Sequence, residues 1–167
     1  MRTFIVILFC FLTPESMAAQ SDFSFSSFIQ QPGIYYSSNR VTAYGYGLGA
    51  GCSVDWKKSF TARADVNILW GNGNLMATRM AIGYQPKGGW SPGIFITTTM
   101  LTGHKTEILD EAGQRPPAAV WATGLRILPL YFDGDKGYAS ALELGYGFGA
   151  DQGWCMELTL LSVGLKF

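Results

Sequence analysis

Five charged residues lie where a β-strand would gather them on one side: Arg63 and Asp65 on one segment, Arg79 on the next, then Arg126 and Glu143 further on. Most are flanked at two-residue spacing by small or polar residues, while the intervening positions are mainly apolar. A period of two puts such a set on one face of a sheet. Sheltered there, the charges must pair, because an unpaired buried ion costs several kcal/mol. Two roles follow: a gated ion path or ligand site, and a salt-bridged plug that holds strand register. The plug is the preferred reading, since it requires nothing beyond the pairing itself.

A second candidate is the single histidine, His104, with the Thr106 hydroxyl two residues on and Glu107, Asp110 and Glu111 nearby. Imidazole, hydroxyl and carboxylate are the parts of an acyl-transfer site, although a lone loop histidine is more simply solvated. A metal site is not expected, with one histidine and no suitably spaced cysteines. The glycine series Gly45, Gly47, Gly49 and Gly51 stands at strand spacing with no following helix, so a phosphate loop is rejected. No cofactor is implied.

The elements that must position these residues read as strands throughout. From Val41 to Trp56 the even positions Tyr44, Tyr46, Leu48, Ala50, Cys52 and Val54 oppose glycines and Ser53. Phe60, Ala62, Ala64, Val66, Ile68 and Trp70 then oppose Thr61, Arg63, Asp65 and Asn67. Gly71-Asn72-Gly73-Asn74 is a tight-turn sequence, after which Met76, Thr78, Met80, Ile82 and Tyr84 oppose Ala77, Arg79, Ala81 and Gly83. Ile94, Ile96, Thr98, Met100 and Thr102 line another strand. Trp121, Thr123, Leu125 and Ile127 oppose Ala122, Gly124 and Arg126, and Tyr138, Leu142, Leu144, Tyr146 and Phe148 oppose Glu143 and a row of small residues. The last strand, Trp154 to Phe167, is read with Thr159, Leu161, Val163 and Leu165 on one face. An eighth strand is expected around Phe23, Phe25 and Ile29, before the Pro32-Gly33 break. Its start reads equally well as an ordered arm. Residues 103–117 form the longest polar stretch and read as an exposed loop.

Residues 1–18 carry Arg2, an apolar run from Phe4 to Leu12 and small residues up to Ala18, the three parts of a secretory leader cut after Ala18 or Ala19. Residues 19–167 then form one domain. Of the 12 basic and 12 acidic residues in the chain, Arg2 and Glu15 leave with the leader. A balanced charge gives no reason to expect nucleic acid. Charged residues make up only 14% of the chain, low for a soluble surface.

On nearly every strand the bulky side chains share one face and glycine, alanine and serine the other. Too little volume remains on the small side for a two-sheet core, whereas a narrow closed barrel accommodates it. The expected fold is therefore all-β: a transmembrane antiparallel up-and-down barrel of about eight strands. Trp56, Phe60, Tyr84, Trp90, Tyr131, Tyr138 and Phe167 are expected in one aromatic belt, and Trp70, Trp121, Phe148 and Trp154 in another. Cys52 and Cys155 fall too far apart to bridge in this register.

With that pattern, the chain resembles the small eight-stranded bacterial outer-membrane barrels of the OmpA, OmpX and opacity-protein type. The resemblance rests on the strand pattern, the leader, and Leu161, Val163, Leu165 and Phe167, which look like the assembly signal read by the barrel-insertion machinery. It implies placement in the bacterial outer membrane among lipid and lipopolysaccharide, a narrow plugged interior, and a structural or surface-interaction role with loop 103–117 turned toward an extracellular partner. Porin-like passage of a small hydrophobic solute is one alternative. Another is modification of lipid A by an acylase or acyltransferase chemistry at His104, Thr106 and Glu107. That trio resembles the histidine, serine and carboxylate set of outer-membrane lipid A deacylases, with threonine in place of serine. A non-enzymatic reading leads.

Overall fold

The computed structural model describes residues 23–37, 43–56, 59–71, 74–86, 89–104, 119–149 and 153–167. The segment expected to be a leader, with both expected cut positions, and the expected loop from residue 105 onward lie outside the described residues, whereas Gly103 and His104, expected to open that loop, continue a strand. Ten strands are present: β1 (Phe23–Ser37), β2 (Ala43–Trp56), β3 (Phe60–Gly71), β4 (Asn74–Tyr84), β5 (Gly89–Trp90), β6 (Gly93–His104), β7 (Ala119–Leu128), β8 (Leu130–Asp133), β9 (Gly137–Gly149) and β10 (Gly153–Lys166). The pairs β5/β6 and β7/β8 are each one stave interrupted by proline, at Pro92 and Pro129, where the ladder loses a donor. Eight staves result. Neighbours along the chain pair antiparallel, and β10 pairs with both β9 and β1, which closes the sheet into an up-and-down barrel.

Alternation sets the two sides of the wall. On β3, Thr61, Arg63, Asp65, Asn67 and Leu69 are buried, while Phe60 and Ile68 are exposed on the outside. On β4 and β6 the same holds for Ala77 and Arg79, and for Phe95, Thr97, Thr99 and Leu101. The Phe23 segment is a full stave rather than an arm, and it passes straight through Pro32-Gly33. Gly153 takes a φ of 65° at the start of β10, a conformation open to glycine at little cost.

Strict alternation fails on four adjacent staves. β1 shifts register around Pro32, its partner β10 carries the unpaired Leu160, β9 carries the unpaired Leu142 with a φ of 57°, and the β7/β8 stave breaks at Pro129. These irregularities face one another across the ladders: Gln31 pairs with Leu161, Leu161 with Ala141, and Ala141 with Leu130. An interruption of this kind exchanges the two sides of a strand beyond it, and these four staves make the exchange at one level while β2 and β6 on either flank keep their alternation.

Three expectations are corrected by this seam. Thr159 is buried inside, while Leu161, Val163 and Leu165 point outward past the bulge. Tyr131 and Tyr138, expected in an aromatic belt, are interior, with ring centroids 5.3 Å apart. The outward aromatic next to Tyr131 is Phe132.

Aromatic side chains nonetheless gather at the two ends of the outer wall. Trp56, Phe60 and Tyr84 are in contact near one end, with centroids 5.9 and 5.8 Å apart. Tyr46 meets Trp70 near the other, where Tyr146 also touches Phe148 and Trp154.

Candidate functional site

The barrel interior is layered. One apolar cluster, Tyr35, Leu69, Ala77, Leu101, Ala122 and Cys155, occupies the end at which β3 finishes and β4 begins. A second, Phe28, Phe95, Leu128, Tyr131 and Tyr138, lies toward the opposite end. On stave after stave the charged residue sits between members of these clusters: Arg79 beyond Ala77 on β4, Arg126 between Ala122 and Leu128 on the β7 stave.

All five charges singled out above lie in this middle layer, joined by a sixth. Arg63 donates from both terminal nitrogens to Glu143 Oε1 at 3.4 Å, and Arg126 Nη1 donates to Glu143 Oε2 at 3.2 Å. Arg79 Nε donates to Asp65 Oδ1 at 2.7 Å, and its Nη1 to Glu157 Oε2 at 3.1 Å. Arg126 Nη2 also donates to Glu157. Three guanidinium groups thus alternate with three carboxylates in one continuous chain, Arg63–Glu143–Arg126–Glu157–Arg79–Asp65. The five-residue set alone would have left one excess positive charge buried, and Glu157 cancels it.

Glu157 was not among the residues read from the sequence because an unbroken alternation through β10 puts odd positions outside. The signal was present in the doublet Leu160-Leu161, two adjacent large apolar residues that violate period two and therefore mark a bulge. A carboxylate on an otherwise apolar face was the second sign.

Neutral groups complete the layer. Gln30 Nε2 donates to Asp65 Oδ1 at 2.9 Å and to Asn67 Oδ1 at 2.7 Å, and Asn67 Nδ2 also donates to Asp65. Ser140 donates its hydroxyl to Glu143. The Arg63 guanidinium lies over the Phe28 ring at 4.6 Å and the Phe95 ring at 5.8 Å, so the charge layer is bonded to the aromatic cluster below it. Gly49 makes room: a Cβ there would collide with the Asn67 side chain and the Val66 carbonyl.

This arrangement holds acids and bases by committing them to one another. Each carboxylate already accepts from at least one guanidinium, and apolar clusters cover the layer on both sides. Its chemistry is cohesion across the barrel: Arg63 to Glu143 ties β3 to β9, and Arg79 to Glu157 ties β4 to β10.

The other candidates fall elsewhere. His104 ends β6, its backbone in register with Asn74, while Thr106 and Glu107 lie outside the described residues. Cys52 and Cys155 are not joined by a disulfide. Among the described residues no group of three or more His, Cys, Asp and Glu side chains could hold a metal ion. Leu161, Val163, Leu165 and Phe167 are exposed on the outer wall of the closing stave.

No protein-family model matches the chain, and no curated protein matches it.

Proposed function

We propose that this chain is a bacterial outer-membrane protein whose staves span the bilayer, with a structural or surface-interaction role and an interior that does not conduct. The observation that carries this reading is the outer wall. Ile29 is 69% exposed, Leu48 64% and Met80 66%, on three different staves, and the apolar surface continues over Ile96, Leu125, Leu144 and Val163. Isolated exposed apolar residues are ordinary, but a soluble monomer rarely carries a contiguous patch beyond a few hundred Å². A belt encircling the barrel, edged by aromatics near both ends, matches what lipid requires. The closed sheet meets the second requirement, since a barrel leaves no strand edge unpaired in hydrocarbon.

In this reading residues 1–18 are the export leader, and the outward side chains of Leu161, Val163, Leu165 and Phe167 serve recognition by the insertion machinery. Lipid and lipopolysaccharide surround the belt. Loop 103–117 faces outward to meet an extracellular partner. The interior charge layer fixes register and seals the barrel.

The test is fractionation and gel mobility. The protein is expected to partition with outer membrane and to migrate faster on a denaturing gel before heating than after. Recovery as a soluble periplasmic protein refutes the reading. Replacement of His104 by alanine is expected to leave the lipid A profile unchanged, and an altered profile would move the function to lipid modification.

A further inference from the structure

The outer wall is largely apolar; the hydroxyls of Thr98 and Thr123 on it pair with each other at 3.2 Å, whereas a carboxamide, that of Gln31, stands on it at mid-stave. Gln31 is exposed on the outside of β1, between Ile29 and Ile34 on its own strand and beside its register partner Leu161. Its immediate chain neighbours Gln30 and Pro32 are buried, so the Gln31 amide is turned away from the interior network in which Gln30 takes part.

A second irregularity lies at the same place. The β1–β2 ladder runs in register from Phe23–Trp56 to Gln30–Gly49 and resumes only at Ile34–Tyr44. Gln31, Pro32 and Gly33 have no register partner on β2, and β2 residues 45–48 have none on β1. Pro32 has no amide hydrogen to offer. Irregular backbone at hydrocarbon depth is tolerated where protein covers it, and an amide side chain in lipid has the same requirement. Gly33 beside it carries no side chain, and Leu160 packs across it, where a Cβ would press on the leucine at 2.9 Å.

We propose that the β1 face centred on Gln31 is the contact between two copies of this chain in the membrane. A carboxamide carries one acceptor and a two-hydrogen donor, so it is self-complementary: across a two-fold axis each Gln31 donates to the other and both are satisfied. A two-fold contact uses the same patch on both copies, as a single central glutamine framed by apolar residues requires. Ile29, Ile34, Leu48 and Leu161 form the apolar frame. The inference rests on the membrane reading above, because in water an exposed glutamine needs no partner.

The experiment uses the full mature barrel with Cys52→Ala and Cys155→Ala, carrying either Gln31→Cys or Ile96→Cys. Ile96 is exposed on β6, four staves away on the opposite wall. Both variants are floated with outer-membrane vesicles, checked for heat-dependent mobility, and oxidised with copper phenanthroline. Gln31→Cys is expected to give a disulfide-linked dimer at least ten times more abundant than Ile96→Cys. Fluorescence energy transfer between labelled copies is expected to fall in Gln31→Leu and to be retained in Gln31→Asn. Protein that floats and shifts on heating but cross-links no better at residue 31 than at residue 96 overturns the dimer and leaves the membrane reading standing. So does transfer unchanged in Gln31→Leu. Protein that does not float overturns the membrane reading, and this inference with it.

Discussion

Replacement of Glu143 by glutamine tests the charge layer most directly. The side chain is 0% exposed and accepts from Arg63, Arg126 and Ser140. Glutamine keeps its volume and removes only its charge, so the layer passes from neutral to one net positive charge while its two apolar covers stay in place. Arg126 keeps Glu157, but Arg63 loses its ion pair with β9 and is left over the rings of Phe28 and Phe95. Breaking one side of a buried pair costs about 3–5 kcal/mol, chiefly the penalty of the stranded charge. With a urea slope of about 2 kcal/mol per molar, the unfolding midpoint should fall by roughly 2 M. The assay is urea unfolding of the barrel in lipid vesicles, followed by tryptophan fluorescence and by mobility of unheated samples. A second variant, Arg63→Gln with Glu143→Gln, restores neutrality and should recover more than half of the loss, a non-additivity expected of residues in contact. A loss below about 1 kcal/mol for Glu143→Gln, or a double variant as unstable as the sum of the single ones, would refute a tightly coupled ion-pair layer.

Gly49→Val should destabilise the barrel by about 1–3 kcal/mol in the same assay, because its side chain would be driven into Asn67 and through it into Gln30 and Asp65. Ala50→Val on the outer wall should be nearly neutral, and equal costs at both positions would contradict the assigned sides. The intact mass should be identical with and without reductant, since Cys52 is in register with Ser27 and Ala64 whereas Cys155 pairs with Gly147 and Ser37. A species two hydrogens lighter that disappears on reduction would disprove that register. In planar bilayers the purified protein should be electrically silent, because two apolar clusters and the ion-pair layer occupy the interior in series. A steady, reproducible conductance would refute the sealed interior.

Most of the wall was legible in the residues. Period two on β2, β3, β4 and β6 distinguishes inside from outside without any tertiary information, because a strand turns each successive side chain to the opposite face. Arg63, Asp65 and Arg79 were thereby placed on one side, and the glycine and asparagine at residues 71–74 announced the hairpin between them. The cysteines belonged to the same pattern, Cys52 on an outward position of β2. What the pattern could not carry was its own interruptions.

The sequence by itself determined an all-β chain of long alternating strands with charges set on the small-residue side. Only the tertiary structure decided where alternation stops. A bulge is a relation between neighbouring strands: Leu160 is unpaired because of how β10 lies against β1 and β9, and Leu142 and Pro129 mark the same exchange of faces on the staves next to it. That shared exchange turned Tyr131, Tyr138 and Thr159 inward. It also kept Glu157 facing inward, within reach of Arg79 and Arg126. Closure of the barrel then brought β3 opposite β9 and β4 opposite β10, so that charges 80 and 78 residues apart in the chain meet across a few ångströms and leave the layer neutral.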